Sequence, residues 1–393
     1  MSDFRLALFT DTYAPDVNGA AKTLERWIVY LRSKGIPCMV FAPSSEGGKA
    51  GVLTSAADER IASVPFFLYP EVRLAIPQIV GVEQKLLDFK PSVIHVATPF
   101  GAGISGRHLA LKHGIPLVAS HHTHFSRYLQ FYKLQWMSKI LWKYLYWFHR
   151  QARRIYVPSR SVLEECQKDG WAGLEIWSRG IDGNLFHPHV DRASVLSDAG
   201  ISQDQFIVLY AGRLAQEKQP ELAIEAMNRF VRLSGAKAKL VVAGDGPLLP
   251  ALKDLALRTN TSVHFIGALP QIQLQKWMAA SDVLLFSSPT ETFGNIVLEA
   301  MACGLPIIAA DAGAVPDTVI DGMNGLLCSP GSSSSFADAL CRMYEDSLLR
   351  AKLAAAGLSE AGTRSWDEVF ARLLASMEEA ASGQAASFHM RAV

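Results

Sequence analysis

Residues 287–319 read SSPTETFGNIVLEAMACGLPIIAADAGAVPDTV, and this stretch spans most of one repeating unit of a parallel α/β sheet. The apolar run Val283–Phe286 just before it predicts a strand. FGN then opens an apolar helix, GLP ends that helix, and Pro306–Ala309 predicts the next strand. Strands joined through a helix run in the same direction, so the stretch predicts a parallel sheet covered by helices.

The same alternation of short apolar runs and amphipathic stretches continues along the whole chain. Because 393 residues exceed what one hydrophobic core usually supports, two domains are expected. The predicted fold class is α/β, with two Rossmann-like doubly wound parallel-sheet domains facing across a cleft. The other predicted strands are Arg5–Phe9, Cys38–Phe41, Val93–Val96, Pro116–Ser120, Arg154–Val157, Leu174–Trp177, Gln205–Tyr210, Ala238–Ala243 and Val263–Phe265. The predicted helices of the first half include Ala20–Ser33, Gly103–Lys112, Gln135–Gln151 and Ser159–Lys168.

A polar segment in mid-chain interrupts this alternation. It predicts a linker near residues 188–204, between a first domain at 1–190 and a second at 191–364. Residues 365–382 predict a separate C-terminal helix, and residues 383–393 a frayed tail.

The composition is that of an ordinary soluble globular protein, with 49% apolar residues, 19% charged residues and a net charge of +1. The first residues show no basic segment followed by a long apolar stretch, so a secretory signal is not expected. No stretch offers about 20 apolar residues free of charge, so no membrane span is expected. The five cysteines are scattered and form no CxxC pair. These features favour a cytoplasmic protein with reduced thiols, and they disfavour a zinc–thiolate site.

Two carboxylates in the opening stretch, Glu291 and Glu299, raise the question of a glycosidase. Eight residues of helix rise about 12 Å, whereas a retaining glycosidase needs roughly 5 Å between its carboxylates. We therefore expect the two to bind different parts of one long ligand. Phe293, Gly294 and Asn295 lie where the helix begins, and unpaired N–H groups there suit a diphosphate.

Motifs along nearly the whole chain resemble the retaining glycosyltransferases of the GT-B fold, in the large group called family 4 or glycosyl transferases group 1. The motifs are DTYAPDVNGAAKTL (11–24), ASHHTHFSRYL (119–129), VPSRS (157–161), RGIDGNLFHP (179–188), YAGRLAQEKQPELAIEA (210–226), GDGP (244–247) and PTETFGNIVLEAMACGLP (289–306).

The resemblance implies transfer of a hexose, with retention, from a UDP- or GDP-hexose to a hydroxyl acceptor. It implies that residues 1–190 form the acceptor side, that residues 191–364 bind the donor, and that residues 365–382 cross back to the first domain. The implied catalytic residues are His122 at the donor sugar, Arg213 and Lys218 at the diphosphate, and Glu291 at the sugar hydroxyls. The implied donor-binding residues are Asn18, Gly19, Gly244, Phe293, Gly294, Asn295 and, at the ribose, Glu299.

The chain contains no D-x-D sequence, which disfavours the metal-dependent fold of sugar transferases. We expect a metal-independent enzyme without a cofactor, in which Arg213 and Lys218 take the place of a divalent ion. In the resembled family no protein nucleophile is established, so Glu291 is not assigned that role.

Two other functions are alternatives. One is a non-catalytic protein of the same fold that binds a nucleotide sugar or a glycan. The other is an NAD-dependent oxidoreductase, because Gly101, Gly103 and Gly106 have the G-x-G-x-x-G spacing. The acidic residue expected about 20 positions later is absent, since that region reads HHTHF. A tight turn that needs small residues is the favoured interpretation.

Residues 89–163 contain no Asp or Glu but hold eleven Lys and Arg and seven of the eleven histidines. On a helix, Lys139, Lys143, Arg150 and Arg153 fall within roughly 80° of one another, beside several tryptophans. Such a stripe is typical of surfaces that bind anionic membranes. Residues 127–154 are therefore a candidate for peripheral association with the inner membrane face. That association would give access to a lipid or lipid-linked acceptor. The alternatives are a buried aromatic helix with a solvated basic edge and, less favoured, nucleic-acid binding, for which no module is recognised.

Three histidines, His121, His122 and His124, follow a predicted strand and suggest a metal site. Adjacent residues at a strand end point to opposite sides, so His121 and His122 are not expected to share an ion. We expect His122 to contact the donor sugar and His121 to pack inward. His124 departs from the Asp or Asn often found in related sequences, and it is a candidate for acceptor choice.

Overall fold

The computed structural model describes residues 4–14, 16, 19–44, 58–66, 69–76, 80–121, 136 and 138–383. The described chain divides into two compact units. The first contains the described residues up to His121, residues 136–178 and the chain from Asp367. The second runs from Arg179 to Trp366.

The described elements alternate between strands and helices. The strands are β1 Leu6–Phe9, β2 Cys38–Pro43, β3 Glu59–Ile61, β4 Ser63–Phe66, β5 Tyr69–Ala75, β6 Val93–Val96, β7 Leu117–Ser120, β8 Arg154–Val157, β9 Leu174–Ile176, β10 Phe206–Ala211, β11 Ala238–Ala243, β12 Val263–Gly267, β13 Val283–Phe286, β14 Ile307–Ala310 and β15 Leu326–Cys328. The α-helices are α1 Gly19–Ser33, α2 Val80–Phe89, α3 Gly101–His113, α4 Ser138–His149, α5 Arg160–Lys168, α6 Arg192–Asp198, α7 Pro220–Ser234, α8 Leu249–Arg258, α9 Gln271–Ala280, α10 Asn295–Ala302, α11 Ser333–Glu345, α12 Ser347–Gly362 and α13 Trp366–Ser382.

The first unit is built on a sheet whose described strands lie in the order β3-β2-β1-β6-β7-β8-β9. All neighbouring pairs are parallel, while β4 and β5 form a separate antiparallel pair. Apolar side chains of the inner strands β1, β6, β7 and β8 are buried, as expected for a parallel sheet covered on both faces. Phe9 and Phe41, on adjacent strands, stack with ring centroids 4.3 Å apart.

Helix α13 packs on this first sheet unit through apolar and charged contacts. Phe370 is 2% exposed and lies 5.4 Å from the Trp27 ring of α1. Arg154 of β8 donates hydrogen bonds to Ser376 at 2.6 Å and to Glu379 at 2.7 Å. These bonds satisfy a guanidinium whose side chain is only 8% exposed.

The second unit is built on a parallel sheet with described strand order β12-β11-β10-β13-β14-β15. Strand β10 lies in the middle, because the chain runs outward from it to β11 and later returns to its other side with β13. The order of strands therefore reverses between β10 and β13. In open α/β sheets, ligands bind at the carboxyl ends of the strands at such a reversal.

Most predicted elements are confirmed, and the predicted strands Ala238–Ala243 and Val283–Phe286 match in both bounds. The segment expected to be a linker differs, because it contains helix α6. Asp191 caps this helix by accepting a hydrogen bond from Ala193 N, and Leu196 is buried in the core of the second unit. Among the helices of the described part of the chain, none is both long enough and apolar enough to cross a bilayer.

Candidate active site

Loops that follow β10, β11 and β13 come together at the carboxyl edge of the second sheet. Gly212 and Arg213 follow β10, Gly244 follows β11, and residues 287–291 follow β13. Arg213 is an exposed residue. The edge lies at the reversal of strand order, so the predicted residues Arg213, Gly244 and Glu291 lie where such folds bind ligands.

Gly244 lies where two of these loops approach each other closely. A Cβ added there would lie 1.9 Å from Gly212 O, so any larger residue would collide with backbone. Gly244 N donates to Gly267 O at 2.8 Å, and Gly212 N donates to Ala243 O at 3.0 Å. The glycine is therefore required for packing of the strand ends, whatever contact it also makes with a donor.

Lys218 ends a 3-10 turn at Gln216–Lys218, directly before α7. The next residue, Gln219, has a left-handed backbone with φ 48°. The Ser287 hydroxyl donates to Lys218 O at 3.0 Å and to Gln219 O at 2.8 Å. The loop after β13 thus holds the backbone of the turn that carries Lys218.

Glu291 comes from that same loop and pairs with Lys218. Lys218 Nζ lies 2.7 Å from Glu291 Oε1, and their side chains are 19% and 15% exposed. A neighbouring hydroxyl adds a second link, since Thr290 Oγ1 donates to Glu217 O at 3.2 Å. Two predicted site residues that lie 73 positions apart in the chain are therefore in direct contact.

The backbone of Glu291 is fixed from the other side by the turn after β14. Ala314 N donates to Glu291 O at 2.9 Å. Gly313 has φ +63°, and a Cβ there would lie 2.7 Å from Glu291 O. The sequence analysis did not select Gly313; its signal is a glycine two residues after an Asp at a strand end, in AADAGA.

A group of carboxylates surrounds Tyr210, the penultimate residue of β10. Burial raises the pKa of Tyr210, and the negative charges of Glu291, Glu221 and Glu217 raise it further. Glu217 is 3% exposed and was not predicted, although it directly precedes Lys218 in QEKQPE. The ammonium of Lys218 therefore lies in a neighbourhood rich in negative charge.

Helix α10 begins at Asn295, and Gly294 caps it with φ +84°. Phe293 was expected to bind the donor, but its side chain is 6% exposed and packs in the core of the unit. Phe293 can thus offer a ligand its backbone but not its ring. Glu299 follows Asn295 by about one turn of the helix and is partly buried.

The predicted residues of the first unit are only partly described. Gly19 is the first residue of α1, and its carbonyl accepts a hydrogen bond from Thr23 Oγ1 at 2.8 Å. Asn18, His122 and His124 lie outside the described residues. His121 is 3% exposed, and its ring lies 5.3 Å from Trp171, so the prediction that it packs inward is confirmed.

The glycine-rich stretch at the start of α3 is explained by packing. A Cβ on Gly101 would lie 1.6 Å from Ala75 O, and one on Gly103 would lie 1.7 Å from Thr98 O. A Cβ on Gly106 would lie 2.6 Å from the Phe9 ring of β1. The prediction that small residues are needed here is confirmed, although the three glycines lie in the first two turns of helix α3 and not in a turn before it.

The start of α3 also holds a protein carboxylate already. Asp11 is 2% exposed and accepts hydrogen bonds from Ala102 N at 3.0 Å, Ala75 N at 2.9 Å and Thr98 Oγ1 at 2.7 Å. Burial raises the pKa of Asp11, and these hydrogen bonds oppose that shift. A side-chain carboxyl therefore occupies the position where a dinucleotide diphosphate would bind.

The fold and the site define a class: two parallel α/β units, one of which gathers cations, carboxylates and a helix start at the edge where its strand order reverses. Residues 191–359 match the family model of the glycosyl transferases group 1, and residues 17–184 match that of glycosyltransferase family 4. The chain belongs to this family, the group 1 glycosyltransferases of the GT-B fold.

Relatives and solved structures match over nearly the full length. The chain is 30% identical over 383 residues to a GDP-mannose-dependent alpha-mannosyltransferase of Mycobacterium tuberculosis, covering 96% of this chain and 97% of that one. It is 28% identical to the alpha-monoglucosyldiacylglycerol synthase of Streptococcus pneumoniae, over 82% of this chain and 75% of that one. The crystal structure of Anabaena HepE in complex with UDP-glucose superposes with a TM-score of 0.76 at 21% identity, over 95% of this chain and 99% of that one.

Proposed function

We propose that this glycosyltransferase moves a hexose, with retention of the α configuration, from a UDP- or GDP-hexose to a hydroxyl acceptor on a membrane lipid or lipid-linked glycan. The observation that carries the proposal is the contact between Lys218 and Glu291 at the carboxyl edge of the second sheet. It joins a cation suited to phosphate with a carboxylate suited to sugar hydroxyls in one place.

The leaving diphosphate sets what the cations must do. As the bond from the anomeric carbon to the phosphate oxygen breaks, negative charge grows on the diphosphate. Lys218 supplies a point charge on a flexible stem, and the exposed Arg213 supplies a guanidinium fork that matches phosphate oxygens. Positive side chains and the start of α10 would stabilise this charge without a divalent ion.

Glu291 has the complementary task. Its carboxylate accepts hydrogen bonds and would orient the hexose through its hydroxyls once the donor phosphate has taken over Lys218. Glu299, further along the same segment, would accept from the ribose. The acceptor hydroxyl would attack the anomeric carbon from the face that the diphosphate leaves, and its proton would pass to an oxygen of the departing diphosphate. The bond from the anomeric carbon to the phosphate oxygen is thereby replaced by the new glycosidic bond with the configuration retained.

The names of the similar proteins guide the choice of donor. The Mycobacterium tuberculosis relative is described as GDP-mannose-dependent, and the Anabaena structure contains UDP-glucose. GDP-mannose is therefore the first donor to test, followed by UDP-glucose and UDP-galactose.

Association with the membrane would bring a lipid acceptor within reach. Helix α4 lies within the basic stretch 127–154, of which residues 127–135 and 137 lie outside the described part. In α4, Lys139 and Lys143 are exposed, as is Trp147 at 39%. Positive charge beside an exposed indole is typical of surfaces that bind anionic membranes. The Streptococcus relative is named for a glycolipid product, which is consistent with a lipid acceptor.

The test is nucleotide release from each donor in the presence and absence of lipid extract, with the linkage configuration of the product read by NMR. Release of GDP or UDP that depends on acceptor, with an α-linked product, is expected. If no donor turns over and no nucleotide diphosphate binds, the proposal is wrong. If nucleotide binds tightly and turnover is absent with every acceptor, a non-catalytic binding protein of this fold is the better description.

A further inference from the structure

A pocket of about 230 Å³ opens on the first unit, between the C-terminal end of α4 and the loop that precedes β9. None of the residues assigned above to donor or sugar binding lines it. Its walls are formed by Tyr146, Arg150, Ala152, Arg153, Ile155, Gly170, Trp171, Ala172 and Gly173.

The charged side chains in the wall of this pocket are both arginines. Arg150 is exposed, and Arg153 is held in place because its Nη1 donates to Ala380 O of α13 at 2.6 Å. No Asp or Glu belongs to the lining. The C-terminal end of α4 contributes about half a negative charge, which two guanidinium groups outweigh. The pocket is therefore suited to an anion.

A third guanidinium adds to the positive potential nearby. Arg107 lies over the ring of Trp147, 4.2 Å from its centroid. The pKa of Arg107 is lowered first by partial burial and then by the positive charge of Arg150. The two arginines therefore repel each other, and an anion placed at Arg150 would relieve that repulsion.

The opposite wall of the pocket leaves room for a ligand because two of its residues are glycines. Gly170 and Gly173 have φ values of +78° and +70°, and they turn the chain tightly around Trp171 and the exposed Ala172. A Cβ at Gly173 would lie 3.0 Å from Arg153 O. The loop thus presents backbone, the Ala172 methyl group and part of Trp171 to the pocket.

The pocket adjoins an exposed apolar surface on the same helix. Ile140 is 64% exposed and Trp147 is 39% exposed, and Trp136, two residues before α4, is 70% exposed. At 100° per residue, Trp147 lies roughly 60° around the helix from Arg150. Ile140 lies ten residues, or about 15 Å, along the chain from Arg150. Apolar side chains that can enter a bilayer interface therefore extend along α4 from the cationic pocket on a similar face.

We propose that this pocket binds the phosphate of an anionic phospholipid headgroup while Ile140 and Trp147 enter the interface. The proposal rests on the membrane association proposed above and names the lipid site. A glycerophosphate headgroup carries one phosphodiester charge, which Arg150 can bind through two parallel hydrogen bonds. Free phosphate shares that chemistry but lacks the acyl chains that the exposed tryptophans would contact.

The experiment compares variants that remove the same charge from the same helix. Binding to vesicles is measured by flotation, without donor or acceptor. One set of vesicles is phosphatidylcholine alone, and the other contains about 30% phosphatidylglycerol, a level that gives a clear surface charge. If charge alone matters, Arg150→Gln and Lys139→Gln should each weaken binding by about fivefold. The pocket predicts a loss well beyond that for Arg150→Gln and for Ala172→Glu, but not for Lys139→Gln.

Two outcomes would overturn the proposal. Equal losses for Arg150→Gln and Lys139→Gln would show a diffuse basic surface rather than a pocket. The second outcome has two parts: millimolar inorganic phosphate competes with vesicle binding, and the wild type binds zwitterionic and anionic vesicles equally well. That result would assign the pocket to a free anion. Arg150→Lys keeps the positive charge but loses the planar guanidinium group. If Arg150 binds the phosphate through two parallel hydrogen bonds, this variant should still bind anionic vesicles more weakly than the wild type. Because nucleotide binding is measured separately in solution, these results do not depend on whether the proposed transfer reaction holds.

Discussion

Lys218 Nζ lies 2.7 Å from Glu291 Oε1, so the cation expected at the diphosphate and the carboxylate expected at the sugar neutralise each other. Both side chains are less than one-fifth exposed, and water screens the pair only partly. A bound donor would take over the lysine and leave the carboxylate to the sugar. We therefore expect occupation of the phosphate and sugar positions to be interdependent.

Replacing Lys218 with alanine should lower kcat about 100-fold or more, because a charge aimed at the leaving diphosphate is lost in the transition state. The measurement is initial-rate kinetics of nucleotide release with the donor that the wild type uses. Lys253→Ala, at an exposed position of α8, is the matched control and should keep wild-type kcat. A loss smaller than threefold in Lys218→Ala would remove its assigned role.

Glu291→Gln should separate nucleotide affinity from turnover. Without its carboxylate partner, Lys218 is a partly buried charge that a phosphate can compensate, so the nucleoside diphosphate alone should bind severalfold more tightly. The rate of transfer should fall, since the sugar loses its charged acceptor. Calorimetric titration with GDP and UDP, alongside kinetics, tests both halves. Weaker binding of the nucleotide in this variant would contradict the interdependence.

Gly244→Ala should disrupt the donor unit because its Cβ would lie 1.9 Å from Gly212 O, and a backbone atom cannot move aside as a flexible side chain could. We expect a thermal transition several degrees lower and a large loss of nucleotide affinity. Gly183→Ala is the control, since a Cβ there meets nothing within 4 Å. Equal stability of the two variants would show that the strand ends can separate freely.

The sequence predicted the strands of the sheets well and the local pairs less well. Buried parallel strands are continuous apolar runs such as VLLF at Val283–Phe286, which need no partner to be recognised. The antiparallel pair β4–β5 was not predicted, because Pro65 and Pro70 interrupt its strands. Helix α2 was not predicted either. Helix α6 was hidden by its polar composition, since Leu196 alone of its residues is buried.

The sequence likewise predicted the residues of the candidate site better than the contacts between them. Lys218 and Glu291 could be selected from their motifs, but their contact joins positions 73 residues apart and follows from how β10 and β13 pair. Gly313 has only a local sequence signal, and its close approach to the Glu291 backbone follows from the fold. The effect of the Glu217 charge on Tyr210 depends on the fold in the same way. The glycines of α3 were correctly predicted not to form a dinucleotide-binding motif, because the acidic residue that such a motif needs is absent from the sequence.

Phe370→Ala should destabilise the first unit by about 3–5 kcal/mol, the usual effect of removing a buried phenyl ring. The ring is 2% exposed and lies 5.4 Å from both Trp27 and Tyr30 of α1. Differential scanning calorimetry should show one transition lowered by roughly 10 °C. Leu348→Ala, at a side chain that is 82% exposed, should leave the thermogram unchanged. An unshifted transition in Phe370→Ala would mean that α13 adds little to the stability of this unit.

Two buried histidines should make the first unit sensitive to acid. Burial lowers the pKa of His149 to about 4 and that of His95 to about 3, both below the value near 6.5 expected in the unfolded chain. Between these values the unfolded chain binds more protons, so the stability present above about pH 6.5 falls as the pH is lowered. Each histidine should cost about 2 kcal/mol between pH 7.5 and pH 5. Urea unfolding at these two pH values should show a smaller pH-dependent loss in His149→Phe than in the wild type, and an identical loss would contradict the assignment.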